Sequence, residues 1–359
     1  MLRTILFTLV LLALLTPSPA SAQNSRSGKK ENAHRIEWAE PQVIKAVERG
    51  LDWVARTQSR MGGWSGNNNQ YTTAMTSLAG MALLGEGSTT CQGKYAQNIR
   101  LAVNFLMNKS RPNGLIGDPH SSDMRYTYGH GYAMLFLSQV LGEEEDAARR
   151  KQLVDVLTRA AKFSELAQTR NGGWGYVSAA DGNDFDEGST TITQVQGLRG
   201  CRNAGIPVSK DAIDKSIEYI RKCTGPDGGV IYSLKSGGGG RPPITAAAIA
   251  ALFNAGEYDS ELVPKQLAYC KKRLGMLSHS GIGHWQYAHF YYSQVMYRQG
   301  GDEWRGYYKI ITNRLLNDKQ AGQQRDGSWS EGYIGPIYST AINLIILQLE
   351  KGIIPIYQK

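Results

Sequence analysis

The sequence lacks a long apolar run, has few cysteines and has no pair of histidines four residues apart. A membrane-spanning helix needs roughly 20 consecutive apolar residues, and no segment of the 359-residue chain supplies them, so no membrane span is expected. No two of the six histidines have the i,i+4 spacing of a helical metal site, so we expect no metal and no cofactor. The cysteines form no CxxC pair, and the sequence leaves their pairing open: Cys91, Cys201, Cys223 and Cys270.

The chain has a small net positive charge. A formal net charge of +9 comes from 40 Lys and Arg against 31 Asp and Glu, and the basic residues are scattered through the chain without forming a stripe. Nucleic-acid-binding domains concentrate their basic residues on one face. We therefore expect a solvated surface and no nucleic-acid partner.

The N-terminal residues have the composition of an export signal. Arg3 precedes an apolar run over residues 5–15, and the triplet ASA at 20–22 supplies the small residues that a signal peptidase needs. We predict a signal peptide over residues 1–22 and a polar tether over residues 23–40. The protein should therefore be exported, and the sequence does not distinguish the periplasm from full secretion.

One stretch of the sequence returns several times. QSRMGGW at residues 58–64 reappears as QTRNGGW at 168–174 and as QQRDGSW at 323–329. Weaker copies occur in NFLMNKSRPNGLIG, KSIEYIRKCTGPDGGV and HSGIGHW. Aligned on the Trp or its substitute, the six units lie at residues 64, 115, 174, 230, 285 and 329. A repeat of this length indicates one supersecondary unit that stacks on its neighbours.

Each unit has a charged helical segment before the Gly-rich turn and a more apolar helical segment after it. Helices that are apolar on most sides are buried on both faces, so the second segment should form an inner layer. An open solenoid needs polar terminal repeats, whereas the last unit contains AINLIILQLE. We predict an all-α fold, a closed α/α toroid of six helical hairpins with an inner and an outer ring. It should form a single domain over residues 41–352, followed by a tail at 353–359.

The repeated Gln and Trp resemble the QW motif of the terpenoid cyclase and protein prenyltransferase superfamily, and the repeats are squalene-cyclase-like. The resemblance covers residues 41–350 and implies that Gln and Trp brace the turns of an α/α barrel without being catalytic. Prenyltransferases bind zinc through an Asp-x-Cys pair at the start of an inner helix. GGGGRPPITAAA at residues 237–248 has neither ligand, so zinc bound in this way is not expected.

The long loops and all the inner-helix N-termini should meet at one end of the toroid, where a site is expected. There, NDFDEGSTT resembles the acidic motif whose central aspartate protonates the polyene in squalene-cyclase-like members. The resemblance implies Asp186 as the acid, with Asp184 and Glu187 raising its pKa by like-charge repulsion. Alternatively, Asp186, Glu187 and Ser189 cap an inner helix and complement its dipole. His130, in YTYGHGY, is either a hydrogen-bonded residue at a helix start or a base of the site.

Aromatic residues at the same end suggest a ligand wall. Trp285, Tyr287 and Tyr291 occur close together in the fifth unit, and Tyr132 follows His130 in the second. Lining a cavity, their rings could hold an apolar chain or stabilise a carbocation. Alternatively, they simply fill the core. The first functional hypothesis is therefore binding, with or without acid-catalysed cyclisation, of an apolar isoprenoid-like molecule.

Two other functions fit the same architecture. A glycan-cleaving α/α barrel would need two carboxyl groups roughly 5 to 9.5 Å apart across an open groove. The residues available for that pair are Asp118, Asp123, Asp186, Glu187, Asp326 and Glu331. A non-catalytic repeat scaffold that binds a protein or a cell-surface component would instead have a filled lumen and an exposed patch.

Overall fold

The structure is a computed structural model that describes residues 39–274 and 283–358. The predicted signal peptide and all but the last two residues of the predicted tether lie outside the described residues. Those that are described form twelve α-helices and no named strand. The helices are α1 Pro41–Arg56, α2 Thr72–Leu84, α3 Ala96–Asn108, α4 Tyr126–Glu143, α5 Ala147–Ala167, α6 Gly188–Asn203, α7 Lys210–Cys223, α8 Pro242–Ala255, α9 Leu262–Leu274, α10 Trp285–Gln299, α11 Gly301–Asn317 and α12 Pro336–Gln348.

The even-numbered helices form a closed inner ring. Each packs against the next around the ring, and α12 packs against α2, which confirms the predicted closure into an α/α toroid. Every residue of α2 is buried. The odd-numbered helices cover this ring from outside, as α1 does against α2 and α12. Helix α1 buries only one stripe, which contains Val43, Val47, Leu51 and Val54, and each such side chain contributes about 1.5–3 kcal/mol of burial free energy.

Close contact between the inner helices α4 and α6 depends on glycine. A Cβ atom added at Gly131 would lie 2.6 Å from the backbone of Thr193. Only a residue without a side chain allows the two backbones to approach this closely. Small residues of the inner helices therefore help to set the radius of the ring.

The Gln and Trp of each complete repeat bind the ends of the outer helices. In the third unit, the Trp174 indole N–H donates to the carbonyl of Ser164 at 2.8 Å, in the last turn of α5. Carbonyls of a last turn have no partner within their own helix, so Trp174 caps α5. The Gln168 amide donates to the carbonyls of Gly172 and Ala212, both at 2.8 Å. Gln168 thereby joins its own turn to the first turn of the next outer helix, α7.

The same kinds of bond occur in the first and last units. The indoles of Trp64 and Trp329 donate to last-turn carbonyls of α1 and α11 at 2.9 and 2.7 Å. Gln323 donates to the carbonyl of Ala46 at 2.7 Å, so the last unit is tied to the first outer helix. This bond closes the outer ring between residues that are far apart in the sequence.

The predicted C-terminal tail packs on the toroid over its described residues. Tyr357 is buried, and its ring contacts Phe290 of α10 with 6.5 Å between centroids. The Ile356 N–H donates to the side chain of Gln139 of α4 at 3.3 Å. Residues 353–358 therefore cover the end of the barrel where the inner helices finish.

Two further features concern the cysteines and membranes. All four cysteines are unpaired in the structure, and only Cys91 is exposed. Among the described helices, none combines the length and the apolar character that crossing a bilayer requires.

Candidate functional site

A cavity of about 500 Å³ opens at the end of the barrel where the inner helices begin. All six inner helices contribute to its wall from their N-terminal ends, and four of them contribute their N-cap residues, Tyr71, Arg125, Arg241 and His284. The outer-to-inner loops supply the rest. This is the end of the toroid at which the sequence predicts a site.

Tyrosines dominate the described wall, and we call this space the tyrosine cavity. Apolar side chains, among them Met75 and Ile244, also line it. No Asp or Glu belongs to the described lining. The tyrosines are Tyr71, Tyr128, Tyr132, Tyr176, Tyr232, Tyr287, Tyr333 and Tyr338.

The four residues predicted to form an aromatic wall divide between the tyrosine cavity and its surroundings. Tyr132 and Tyr287 line it. Tyr291 is fully buried and does not line it, although its hydroxyl lies 3.1 Å from that of Tyr132. Trp285 instead lines an adjoining pocket of about 300 Å³ and stacks on the Arg314 guanidinium, 4.3 Å from the ring centroid. Tyr176, Tyr232 and Tyr333 line the cavity from the loops and were not predicted as site residues. Their position in the long connections is the only sign of this role in the sequence.

Glu187 is the N-cap residue of α6 and is fully buried. Its Oε2 accepts the Ser189 N–H at 2.9 Å and also the Ser189 hydroxyl. Its Oε1 has no hydrogen-bond partner among the described residues. Burial raises the pKa of Glu187 to about 7, because the hydrogen bonds from Ser189, the nearby Thr190 N–H and the charge of Arg125 offset the lost hydration only in part. Near neutral pH, Glu187 therefore holds a proton in a large fraction of the molecules.

Hydrogen bonds connect Glu187 to the tyrosine cavity. The Ser189 hydroxyl that binds Glu187 is also in hydrogen-bond contact with the Tyr128 hydroxyl. Both Ser189 and Tyr128 line the cavity. The Tyr287 hydroxyl donates to the Ser189 carbonyl at 2.9 Å and holds this turn in place. Two hydroxyl groups thus form a hydrogen-bonded path between a buried carboxyl group and the cavity wall.

Asp186, which the resemblance implied as the acid, has the geometry of a structural brace. Its Oδ1 accepts the hydroxyls of Tyr219 and Ser233 and the N–H of Leu234, each at 3.0 Å. Its Oδ2 accepts the side-chain amide of Asn171 at 2.7 Å. These bonds tie the start of α6 to α7 and to the neighbouring loops. Asp186 is fully buried and is not part of the cavity wall.

Asp184 lies in the same loop and also does not line the cavity. It accepts the Arg170 N–H at 2.8 Å and the Lys235 ammonium at 2.9 Å. These contacts hold the pKa of Asp184 below its usual value, the Arg170 N–H having the largest effect. Of the acidic residues at 184, 186 and 187, only Glu187 is connected to the cavity by hydrogen bonds that the structure describes.

His130 uses both ring nitrogens to hold the backbone. Its Nδ1 accepts the Ile116 N–H at 3.1 Å, which places the proton on Nε2, and Nε2 donates to the Ala160 carbonyl at 3.1 Å. Burial lowers the pKa of His130 to about 4. It does not line the cavity. The sequence left open whether His130 is a hydrogen-bonded residue at a helix start or a base of the site. This geometry is that of a hydrogen-bonded residue at a helix start.

His130 occupies a repeat position that threonine fills elsewhere. Thr191 accepts the backbone N–H of Trp174 at 3.1 Å, as Thr340 does for Trp329 at 2.9 Å. In the second unit the residue whose N–H is accepted is Ile116. The repeat alignment at residue 115 is therefore wrong by one residue. Because this unit has neither Gln nor Trp at the motif positions, the sequence pattern could not fix its register.

The other carboxylates that a glycosidase would need are held by neighbouring groups. Asp118 pairs with Arg111 at 3.4 Å, and Glu331, which lines the adjoining pocket, pairs with Arg314 at 3.0 Å. Asp123 is buried and accepts the Thr73 hydroxyl at 2.6 Å. Asp326 accepts the Ser328 hydroxyl at 2.7 Å. Within the described parts of the chain, no three His, Cys, Asp or Glu side chains group as metal ligands.

No protein-family model and no curated protein matches the chain. Several solved structures are similar to it. The type II terpene cyclase MstE from Scytonema, in complex with geranylgeranyl dihydroxybenzoate, is 15% identical with a TM-score of 0.56, over 87% of this chain and 98% of that one. The α-1,6-mannanase GH76A of Salegentibacter sp. HEL1_6, in complex with α-1,6-mannotetrose, is 8% identical with a TM-score of 0.65, over 88% and 100%.

The chain has the α/α-toroid fold of these enzymes. At identities of 8 and 15% the likeness concerns the fold, and two unlike activities occur on it. The predicted similarity to a terpenoid-cyclase toroid is confirmed at this level. The side chains of the cavity, and not its fold, determine what it binds.

Proposed function

We propose that the toroid binds an apolar, isoprenoid-like molecule in the tyrosine cavity. The composition of the wall carries this proposal: tyrosine rings and apolar side chains form most of the described lining around about 500 Å³ of space, and no described lining residue is a carboxylate. Pockets of this size and composition suit small apolar ligands. The faces of the rings are also electron-rich, so they favour an alkene chain or a cation derived from it.

The wall argues against a glycan as the substrate. Glycosidic bonds are cleaved between two facing carboxyl groups, and the adjoining pocket contributes only Glu331, which is ion-paired with Arg314, from the described residues. Residues 275–282, which precede Gly283 in the sequence, contain no Asp or Glu. The mannanase has the higher TM-score, but the described cavity lacks the two facing carboxyl groups that glycoside hydrolysis would need.

Acid catalysis is a second candidate function, and the partly protonated Glu187 favours it. A carboxylic acid of pKa about 7 is a weak acid, so a substrate oxygen is a better proton acceptor than an isolated alkene. With an isoprenoid epoxide, Tyr128 would donate its hydroxyl proton to the epoxide oxygen as a C–O bond breaks. The Ser189 hydroxyl would turn to donate its proton to Tyr128 and would take up the proton of Glu187. A neighbouring C=C pair would then attack the resulting cation and close a ring. Loss of a C–H proton would return the product to neutrality and Glu187 to its acid form.

Binding can be tested by equilibrium dialysis of the full chain against geranylgeraniol and against α-1,6-mannotriose. We expect saturable binding of one geranylgeraniol per chain and none of the trisaccharide. Ala74 is buried in α2 and lines the cavity, so Ala74→Trp should fill the space and abolish binding. Ala180→Trp, at an exposed position of the short 3-10 helix Ala179–Asp181, is the matched control. Binding of the trisaccharide alone, or unchanged binding by Ala74→Trp, would overturn the proposal.

A further inference from the structure

Two inner helices begin with arginine at a position that disfavours it. Arg125 is the N-cap residue of α4 and Arg241 is the N-cap residue of α8, and neither side chain makes a capping hydrogen bond. Helix N-termini carry a partial positive charge, and Ser, Thr, Asp and Asn are the residues that normally cap them. The helices therefore gain nothing from these arginines. Both of them line the tyrosine cavity.

The two arginines form one structure with two tyrosines of the cavity. The Arg125 guanidinium lies 4.4 Å from the ring centroid of Tyr176, and that of Arg241 lies 4.5 Å from the ring centroid of Tyr232. The hydroxyls of Tyr176 and Tyr232 are 2.5 Å apart. We call these four residues the arginine–tyrosine rim. Stacking fixes the plane of each guanidinium and leaves its N–H edge available for binding.

No described carboxylate forms an ion pair with the rim. Arg125 and Arg241 are both exposed, and neither forms an ion pair with any Asp or Glu that the structure describes. The charge of Arg125 acts on Glu187, but that carboxyl hydrogen-bonds to Ser189. Two cations without a described ion-pair partner thus line an apolar cavity beside the N-termini of the inner helices.

We propose that the arginine–tyrosine rim binds the anionic head group of an amphipathic ligand whose apolar chain fills the tyrosine cavity. The head group is a carboxylate or a phosphate, since both match the planar fork of N–H donors that a guanidinium presents. This inference rests on the proposed function and adds a charge requirement to it. A bound anion would also offset the unfavourable charge of the two N-cap arginines.

The test compares three ligands with the same C20 chain on the full-length protein: geranylgeraniol, geranylgeranoic acid and geranylgeranyl monophosphate. Equilibrium dialysis should give at least about tenfold tighter binding of both anions than of the neutral alcohol. Arg125→Gln and Arg241→Gln should each weaken binding of the anions by about tenfold and that of the alcohol by less than about twofold. The control is Arg202→Gln, which removes the same charge from an exposed position at the far end of α6. It should change neither the affinity for the anions nor that for the alcohol.

The outcomes separate this inference from the proposed function. Equal affinity for the acid, the phosphate and the alcohol would overturn the head-group site and leave the apolar cavity standing. Failure of all three ligands to bind would overturn both. If inorganic phosphate at the same concentration displaced the anionic ligands, the rim would be a site for a free anion, which also contradicts a head-group site. Thermal unfolding of each variant checks that it is folded.

Discussion

Glu187 and Ser189 are joined by two hydrogen bonds to one carboxyl oxygen. The Ser189 N–H donates to Glu187 Oε2 at 2.9 Å, and the Ser189 hydroxyl donates to the same atom. The other oxygen, Oε1, is buried and has no partner among the described residues. A charged carboxylate with one unsatisfied buried oxygen is costly. Burial of the carboxyl group raises the pKa of Glu187, and the two hydrogen bonds from Ser189 oppose that rise only in part. The raised pKa predicts how stability depends on pH.

Replacing Glu187 by Gln should change the slope of stability against pH. The pKa of Glu187 is about 7 in the folded chain and 4.5 in a solvated one, so between these values the folded state holds more protons. Rising pH therefore lowers the free energy of unfolding of the wild type, by about 3 kcal/mol in total, and the loss is complete once the pH has passed the folded-state pKa. Glu187→Gln lacks this contribution. Urea unfolding across the range from acidic to mildly alkaline pH measures the difference, and parallel curves for the two proteins would contradict the assignment.

His130 makes the opposite contribution to the pH dependence. Burial lowers its pKa from 6.5 to about 4, so between these values the unfolded state binds more protons. Falling pH should therefore cost about 3 kcal/mol of stability through this residue. The variant His130→Thr has the threonine that other units place at this position, and it removes the loss of stability at low pH because threonine does not titrate. Urea unfolding over the same pH range should show that His130→Thr has a lower free energy of unfolding than the wild type at neutral pH. The difference between the two proteins should shrink as the pH falls toward the folded-state pKa of His130. A difference that stays constant with pH would show that His130 does not titrate as described.

Two glycines of α4 make a matched pair for the packing of the inner ring. An added Cβ at Gly131 would meet the Thr193 backbone at 2.6 Å, whereas one at Gly142 would meet nothing within 4 Å. We expect Gly131→Ala to lower the free energy of unfolding by about 1–3 kcal/mol. Gly142→Ala should raise it by about 0.5–1 kcal/mol through helix propensity. Urea unfolding at neutral pH checks both, and equal effects of the two substitutions would contradict the close approach of α4 and α6.

Trp174 should prove structural. Trp174→Phe keeps most of the buried ring but removes the indole N–H that caps the Ser164 carbonyl, at an expected cost of about 1–3 kcal/mol. Trp174→Ala should cost about 3–5 kcal/mol. Ligand affinity of the folded Trp174→Phe protein should match that of the wild type, because Trp174 does not line the cavity. A folded variant that had lost binding would argue that the motif takes part in the site.

Much of the fold follows from the repeat. Gln168 and Trp174 recur in the sequence because each outer-helix end presents the same unpaired carbonyls, so the repeat predicts the toroid. The register of the second unit did not follow, since His130 and Ile116 replace the usual residues there.

The site is less visible in the sequence, and residues 186 and 187 show the reason. Glu187 has extended backbone angles, φ −156° and ψ 146°, just before α6. Successive side chains of an extended segment point to opposite sides. Asp186 therefore binds Tyr219 on α7, while Glu187 binds Ser189 at the cavity wall. A motif alone does not say which of two adjacent carboxyl groups faces inward.

The most direct measurement is native mass spectrometry of the protein purified from its native source, followed by organic extraction of whatever co-purifies. We predict one isoprenoid-like molecule per chain, or an apo protein that takes up one geranylgeraniol when the ligand is added back. Ala74→Trp should take up none, and Ala180→Trp should behave as the wild type. An apo mass with no uptake of geranylgeraniol by the wild type would contradict the central claim that the tyrosine cavity is an apolar binding site.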